Sequence, residues 1–170
     1  METVLNGELE QRGDLSVSSP DFDDGERLSD PTGYANENLS PRLEVDGVPD
    51  DAETLVLVLD DPDAQPVGGH TWDHWLVWDI DADVDAFPEG WDGSGATVGY
   101  NDYFERGYGG PAPPEGEHRY RFKLLALDSS LGAPEFARKT RLGSAVAMNA
   151  TVLAATQVDA TYDAEQGTVF

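Results

Sequence analysis

The sequence predicts a mainly β fold, a sandwich with one helix appended late in the chain. Three observations support this prediction. Apolar β-prone runs recur along the chain, long Gly-, Pro- and Asp-rich segments without a regular period separate them, and only one segment has apolar residues at helical spacing. The 170 residues are predicted to form one domain, 1–170, which is long enough to bury a core of its own.

The first half of the chain contains two predicted strands and a long loop. The alternating segment LSVSS (15–19) predicts a short strand, and the continuous run TLVLVLD (54–60) predicts a buried one. Residues 20–41 show neither the alternation of a strand nor the period of a helix, and they are predicted to form a long ordered loop or a set of turns. The prolines and glycines of DPDAQPVGG (61–69) end the second strand. Residues 1–13 are predicted to form a loose N-terminal arm or an extra edge strand.

The second half contains two more strands and the predicted helix. TWDHWLVWDI (71–80) and HRYRFKLLALD (118–128) predict strands, and TVGYN (97–101) predicts a brief extended piece. The helix is predicted over 133–157, and the segment 161–170 is expected to return to the sheet. The apolar face of the helix would consist of Leu142, Val146, Met148, Val152 and Leu153.

The chain is strongly acidic, with 34 Asp and Glu residues against 10 Lys and Arg residues and a formal net charge of −24 at pH 7. Such a surface repels itself in ordinary buffer, whereas at molar salt the Debye length falls to roughly 3 Å and the repulsion is screened. We therefore expect a halophilic, cytoplasmic protein, with a merely acidic mesophilic protein as the alternative. Nucleic-acid binding is not expected, because the sequence has no basic stripe to neutralise phosphates.

Composition also argues against several kinds of site. The chain has no cysteine, which excludes disulfides, thiolate metal sites and a cysteine nucleophile. We expect no signal peptide, because the N-terminal segment is acidic and lacks an apolar stretch, and no run approaches the roughly 20 apolar residues of a membrane span. No nucleophile elbow or P-loop motif is present, and no cofactor is indicated.

Two predicted strands carry a histidine at matching positions. Alternate residues of an extended strand share a face. On 71–80 one face consists of Trp72, His74, Leu76, Trp78 and Ile80. On 118–128 the corresponding face consists of His118, Tyr120, Phe122 and Leu124. Either histidine alone is more often a core or turn residue, but each follows a Gly- and Pro-rich loop, so the pair predicts a shared cavity if the two strand ends are neighbours.

We expect this cavity to bind a small anion. Apolar walls with a few convergent polar groups are typical of small-ligand sites. Two imidazoles, a tyrosine hydroxyl and backbone N–H groups from a glycine-rich loop favour an anion. Asp61, which follows the strand 54–60, would orient a histidine or hold an ammonium group of the ligand.

Six segments of the chain occur in an order that is typical of one known family. They are SPDFDDG, NENLSPRLEVDGVP, LVLVLDDPDA, TWDHWLVWDI, GYGGPAPPEGEHRYRFKLLAL and ATY. The chain therefore resembles the phosphatidylethanolamine-binding proteins, in their bacterial and archaeal Raf-kinase-inhibitor-like branch. The resemblance covers residues from about 14 to 163, nearly the whole chain.

The resemblance implies a Greek-key fold with a large antiparallel sheet, a smaller sheet and a C-terminal helix. It also implies a pocket for phosphate-like anions and phosphorylated head groups, in which the glycines of the loop let backbone approach the ligand. The residues that match the family's pocket motifs are Asp61, Trp72, His74, Gly109, Gly110, Pro111, His118 and Tyr120. A homodimer and a regulatory role through a protein partner are compatible with the resemblance.

The sequence departs from the family pattern at four places. Gln65 intervenes before the proline of the Asp-Pro-Asp-Ala-Pro segment, and Ala112 stands where this branch commonly has a cysteine. Ala150 and Thr151 stand where the family often has Gly-His. The segment 101–110 is longer than usual, and we expect it to reshape the mouth of the pocket.

Three functions fit these residues. The leading one is a non-catalytic protein that binds a phosphate-like anion or a phosphorylated small ligand. The second is a hydrolase or lyase of a phosphorylated compound, with His74 or His118 as general acid or base and Asp61 as the orienting carboxylate. The third is a metal-binding protein that uses His70, His74, Asp61 and Asp63, although residues four apart on an extended strand lie about 13 Å apart.

Overall fold

The computed structural model of the chain describes residues 4–64 and 70–167. In chain order its strands are β1 (Ser16–Ser18), β2 (Leu43–Asp46), β3 (Thr54–Asp61), β4 (Trp72–Asp81), β5 (Ala86–Phe87), β6 (Thr97–Val98), β7 (Glu117–Leu127) and β8 (Val152–Asp163). The helix α1 (Lys139–Asn149) lies between β7 and β8. Short 3₁₀ helices cover Asp30–Thr32 and Pro62–Ala64.

Two antiparallel sheets form the β part of the molecule. The large sheet has the order β6-β4-β3-β7-β8, and the small sheet has the order β1-β2-β5. After the β3–β4 pair the chain crosses over and returns as β7 on the other side of β3, as in a Greek key. The predicted mainly β fold with one helix is therefore confirmed.

Apolar clusters cover both faces of the large sheet. The cluster between the two sheets includes Val17, Leu43, Val45, Leu55, Leu57, Leu59, Phe87, Tyr120, Phe122 and Leu124. The cluster on the helix side includes Leu5, Val56, Val58, Leu76, Trp78, Leu125, Leu142 and Val146. Since β3 is buried on both faces, its sequence is a continuous apolar run rather than an alternating one.

The helix spans Lys139–Asn149, so the prediction of a helix over 133–157 is wrong at both ends. Its last predicted turns belong to β8, which begins at Val152 and pairs with β7 along its length. Ala150 already has extended backbone angles (φ −144°, ψ 161°), because sheet pairing outweighs the helical propensity of this segment. Met148, expected on the buried face, is 81% exposed. No helix among the described residues is long and apolar enough to cross a membrane.

The described part of the N-terminal arm is packed against the sheet rather than loose. Leu5 is fully buried, and its carbonyl accepts a hydrogen bond of 2.9 Å from Lys123. The N–H of Leu9 donates to the side chain of Gln157 on β8 at 2.9 Å. Arg12 forms an isolated antiparallel bridge with β8. The arm therefore covers the β8 edge without becoming a regular strand.

An extra residue in β4 sets the geometry of the site. On β3 the register advances by one residue, from Leu59 to Asp60, while on β4 it moves by two, from Trp75 to Asp73. His74 is therefore the additional residue of a β-bulge. A bulge bends its strand and redirects side chains, and it is often found near functional sites.

The strict alternation predicted for β4 is wrong for this reason. Leu76 and Trp78 were expected on the same face as His74, but they pack on the helix side of the sheet. His74 instead lies on the other side, edge-on to the ring of Tyr120 with 5.3 Å between ring centroids. A second irregularity in the pairing with β3 lies near Asp79 (φ 52°). It again changes the side of the sheet to which the following side chains of β4 point. β7 pairs with β3 without such a shift, and its predicted faces are confirmed.

A buried ion cluster lies on the helix side of the large sheet. Asp60 accepts two hydrogen bonds from Arg121, at 2.6 and 3.0 Å, and lies 2.8 and 3.2 Å from the Nζ atoms of Lys123 and Lys139. Lys139 also pairs with Asp73 at 2.5 Å. Burial raises the pKa of Asp60, but the bonds from Arg121 and the two lysine charges outweigh it, so the pKa is lowered overall. Burial lowers the pKa of Lys123 to about 8.

We expect Asp60→Asn to lower the free energy of unfolding by about 3–5 kcal/mol, because it leaves three buried cations without their shared counter-ion. Urea unfolding at neutral pH measures this. The matched control is Glu135→Gln, which breaks an exposed ion pair with Arg106 and should leave the unfolding free energy nearly unchanged. Equal small effects of both substitutions would show that the cluster does not stabilise the fold.

Salt should stabilise the protein, because its formal net charge of −24 repels itself at the surface. Among the described residues three basic side chains are buried, but so are three acidic ones, so burial removes none of this net charge from the surface. Raising KCl from about 0.1 M to about 1 M shortens the Debye length from about 10 Å to about 3 Å. We expect the thermal midpoint to rise by at least about 2–4 °C, which for a chain of this size corresponds to about 1 kcal/mol. A midpoint that is unchanged or lower in a calorimetric scan would contradict this.

Candidate functional site

One edge of the large sheet brings the two predicted histidines together. Because the strands are antiparallel, the end of β3 and the starts of β4 and β7 lie at this edge. Asp61 ends β3, His74 follows the start of β4, and His118 follows the start of β7. A cavity of about 220 Å³ opens here, and we call it the edge cavity. Its lining residues are Asp61, Ala64, Trp72, His74, Tyr103, Ala112, Pro113, Pro114 and His118.

Asp61 fixes the orientation of His118. The two side chains are buried, and His118 Nδ1 lies 2.7 Å from Asp61 Oδ2. The other oxygen of Asp61 accepts the backbone N–H of Asp63 at 2.8 Å. An ionised carboxylate only accepts hydrogen bonds, so Nδ1 of His118 carries the proton of this contact. Nε2 of His118 is left as the ring nitrogen that a ligand can reach.

His74 is held in the same way by a different acceptor. Its Nδ1 lies 2.6 Å from the carbonyl oxygen of Gly109, so Nδ1 donates and Nε2 is the remaining ring nitrogen. The ring is edge-on to Tyr103 and Tyr120, with centroid distances of 5.7 and 5.3 Å. Burial lowers the pKa of His74, although the Gly109 carbonyl and nearby carboxylates, Asp61 first among them, act in the opposite direction. Neutral His74 therefore turns a lone pair, not an N–H, toward the cavity.

Two aromatic donors near the histidines have no hydrogen-bond partner among the described residues. Trp72 lines the cavity, and its indole Nε1 is buried and unpaired. Tyr120 lies behind His74, and its buried hydroxyl is near the Ala112 backbone without hydrogen-bonding geometry. Burial raises the pKa of Tyr120, so the phenol keeps its proton. An unpaired buried donor costs about 1–3 kcal/mol, so the Trp72 N–H favours an acceptor in the cavity.

Gly109, Gly110 and Pro111 are not among the described residues that line the cavity. The N–H of Gly110 donates to the Asn38 side chain at 2.7 Å. The carbonyl of Pro111 accepts the N–H of Tyr34 at 2.9 Å. These contacts attach the glycine-rich loop to the long loop that precedes β2.

The protein's own packing already requires glycine at these positions. A Cβ at Gly110 would lie 2.1 Å from the Thr32 carbonyl oxygen, and a Cβ at Gly109 would lie 2.5 Å from the Tyr103 ring. The expectation that the glycines let backbone approach the ligand stays a prediction. The wall itself is built by the next three residues, Ala112, Pro113 and Pro114.

Tyr103 is the main lining residue that sequence reasoning missed. It lies in the longer-than-usual segment before the glycine-rich loop and stacks on Tyr34, with ring centroids 4.0 Å apart. It also meets Trp72 and His74 edge-on, each at 5.7 Å. Asn101 holds the turn by accepting the N–H of Tyr103 at 2.9 Å. The Asn-x-Tyr pattern signals such a turn, but no sequence signal gives the direction of the ring.

The four residues of the metal hypothesis do not form one cluster, although Asp61 and His74 both line the edge cavity. His70 lies 3.3 Å from Asp102, apart from the contacts that hold His74 and Asp61. Within residues 4–64 and 70–167, no group of three or more His, Asp or Glu side chains could hold a metal ion. The departure from the family pattern at Gln65 lies outside the described residues.

The fold and the edge cavity define a two-sheet β protein with a small pocket at one sheet edge. Comparison with known families agrees, since residues 18–163 match the family described as phosphatidylethanolamine-binding protein. The chain belongs to this family, whose members are commonly binding proteins.

Individual relatives are similar along most of their length. A UPF0098 protein from Aquifex aeolicus is 37% identical over 155 residues, which is 87% of this chain and 88% of the relative. A phosphatidylethanolamine-binding protein homologue from Chlamydia trachomatis has a solved structure with a TM-score of 0.79 and 30% identity, covering 88% of this chain and 97% of its own. Escherichia coli YbcL, described as a member of the mammalian family, has a TM-score of 0.79 and 29% identity, covering 88% and 98%.

We expect Gly110→Ala to lower the free energy of unfolding by about 1–3 kcal/mol, because the added methyl group overlaps the Thr32 carbonyl. Urea unfolding followed by tryptophan fluorescence measures it. The matched control is Gly167→Ala, where the nearest atom to the new Cβ is 3.6 Å away and little change is expected. If Gly110→Ala is as stable as the control, the close backbone approach does not hold the loop.

Proposed function

We propose that the protein binds a small anionic or phosphorylated ligand in the edge cavity without changing it chemically. One observation carries this proposal. Two imidazoles, His74 and His118, line the same cavity, and each is fixed through Nδ1 to a protein acceptor. Their Nε2 atoms are then the groups left for a ligand, on rings whose orientation is set before binding. Such preorganisation lowers the entropic cost of association.

The lining supports an anion that carries a small carbon group. The imidazoles and the unpaired Trp72 N–H form the polar end, and Tyr103 and the two prolines form an apolar wall. A cavity of about 220 Å³ has room for a phosphate with a short substituent. The family name points to phosphoethanolamine as a probe, with Asp61 as the carboxylate nearest to its ammonium group.

The acidic surface should affect this binding. The formal charge of −24 repels anions at low salt, and molar salt screens the repulsion. Under the proposal the protein is halophilic and cytoplasmic and captures its ligand at high ionic strength. A regulatory protein partner and a homodimer stay expectations from the resemblance.

The Asp61–His118 contact also favours a second candidate, a hydrolase or lyase of a phosphorylated compound. A carboxylate bonded at 2.7 Å to the Nδ1 of a histidine orients the ring as a general base. No Ser or Thr hydroxyl is among the cavity-lining residues described, so water would be the nucleophile. Release of p-nitrophenol from p-nitrophenyl phosphate, abolished by His118→Gln, would establish this candidate in place of simple binding.

Titration of phosphoethanolamine into the protein at molar KCl should shift the imidazole NMR signals of His74 and His118 together and saturably. The signals of His70, which stacks on Trp72 but is not among the cavity-lining residues described, should shift less than those of the two site histidines. His118→Ala should weaken binding at least about tenfold, which is about 1.4 kcal/mol, because it removes one of the two ring nitrogens.

The matched control is His70→Ala, which should bind like the unaltered protein. Added chloride serves as the control anion. If neither His74 nor His118 responds to phosphoethanolamine, or if His70 responds as strongly, the edge cavity is not the binding site.

A further inference from the structure

We propose that the edge cavity takes up its anion together with one proton, which arrives either on the ligand or on His74. Its ligand class is then a weak acid in the singly protonated state, such as a phosphomonoester or phosphonate monoanion. An anion that only accepts hydrogen bonds would enter with protonation of the imidazole. This inference rests on the proposed function and adds a chemical condition to it.

The condition follows from where the ring protons already are. A neutral imidazole has one N–H, and His74 donates it to the carbonyl of Gly109 at 2.6 Å. The tautomer with its proton on Nε2 is excluded, because the lone pair of Nδ1 would then face the Gly109 carbonyl oxygen, which has no proton to donate. His118 likewise donates its Nδ1 proton to Asp61 at 2.7 Å. Both rings therefore offer Nε2 lone pairs to the cavity while they are neutral.

Lone pairs do not bind a fully ionised anion. An oxygen of sulfate or of a phosphate dianion would meet an acceptor at each Nε2, and burial without a hydrogen bond is costly. A singly protonated phosphate has an O–H that can donate to Nε2. Alternatively, the ring gains a proton and becomes a charge-assisted donor to the anion. Either route brings one proton into the complex.

His74 is the ring at which the proton is gained. A protonated His118 has the carboxylate of Asp61 in contact as its counter-ion even without a ligand, whereas a protonated His74 has only a neutral carbonyl in contact, so a bound anion changes the protonation of His74 the most. The ionisable groups around His74 are Asp61 from β3, Tyr103 from the segment after β6, and His118 and Tyr120 from β7, with Asp60 on the opposite side of the sheet and Asp102 farther away. The three carboxylates favour the charged ring from a distance, but burial outweighs them, and the pKa of His74 is lowered in the free protein.

A bound anion reverses this balance, because it adds a negative charge in contact with a buried ring. The pKa of His74 is then lower in the free protein than in the complex. Between these two pKa values the complex binds one proton more than the free protein. The affinity for an acceptor-only anion therefore falls roughly tenfold per pH unit in this range as the pH rises.

Calorimetric titrations with sulfate and with phosphoethanolamine, each in two buffers of different ionisation enthalpy, count the protons taken up. Sulfate has no proton to bring, so we expect close to one proton from the buffer near pH 7 and weaker binding as the pH rises. Phosphoethanolamine, whose second pKa is about 6, should take up close to no proton below that value and close to one above it.

His74→Gln tests the assignment, since its side-chain amide can place an N–H donor near the position of Nε2 without a titration. We expect sulfate binding by this variant to take up no proton and to lose its pH dependence. The matched control is His70→Gln, which should keep the proton uptake of the unaltered protein. Thermal unfolding of each variant confirms that it is folded, and His74→Asn, which keeps a donor toward Gly109 but none toward the cavity, should lose sulfate binding.

The outcomes separate this inference from the proposed function. Binding of sulfate without proton uptake, or proton uptake that persists in folded His74→Gln, would overturn the inference and leave the proposed function intact. Binding of phosphoethanolamine but not of sulfate, with an affinity that follows the monoanion, supports the route in which the ligand brings its proton. If neither anion binds between about pH 5.5 and about pH 8.5, a range that spans the ordinary titration of histidine, both the inference and the proposed function are wrong.

Discussion

The end of β3 is the constraint on which the rest of the site depends. Two consecutive carboxylates, Asp60 and Asp61, occupy positions of a strand where neighbouring side chains point to opposite faces. Asp60 neutralises a buried cluster of cations on the helix side. Asp61 holds His118 on the side that faces the cavity. Any shift of this strand end would disturb the helix-side packing and the ligand-facing histidine together.

This arrangement gives the buried ion cluster a positioning role as well as a stabilising one. Arg121 and Lys123 extend from β7 to Asp60 on β3, and Lys139 reaches it from the first residue of α1. The bonds fix the relative register of the two central strands at the edge where the cavity opens. Buried ion pairs are expensive to desolvate, so their value lies in specifying one geometry as much as in net stability. The fixed geometry in turn keeps Asp61 within reach of His118.

Regular parts of the structure could be predicted from the sequence. β7 keeps an uninterrupted period of two, so its faces follow from the residue order, with His118 and Tyr120 on one side and Arg121 and Lys123 on the other. The buried strand β3 could be predicted because its apolar run is continuous. The contact between Asp61 and a histidine could also be predicted, since both residues lie at strand ends beside turn-rich loops.

The errors occur where tertiary contacts override local pattern. The bulge at His74 leaves no mark in the sequence, because it depends on the pairing of β4 with β3. The predicted helix is too long at its C-terminal end, because Val152 and the residues after it fit a helical period. In the structure these residues form β8 and pair with β7. The close approach of Thr32 and Tyr103 to Gly110 and Gly109 likewise has no signal in the sequence. Such long-range contacts cannot be read from neighbours in the chain.

The most direct test of the account is a crystal structure of the protein grown near pH 6 and soaked with selenate, whose selenium can be located by anomalous scattering. The account predicts one selenium in the edge cavity, with a selenate oxygen about 2.7–3.2 Å from Nε2 of His74. A selenium at the basic residues of the ion cluster with an empty edge cavity would contradict it. So would selenate in the cavity with Nε2 of His74 turned away from its oxygens.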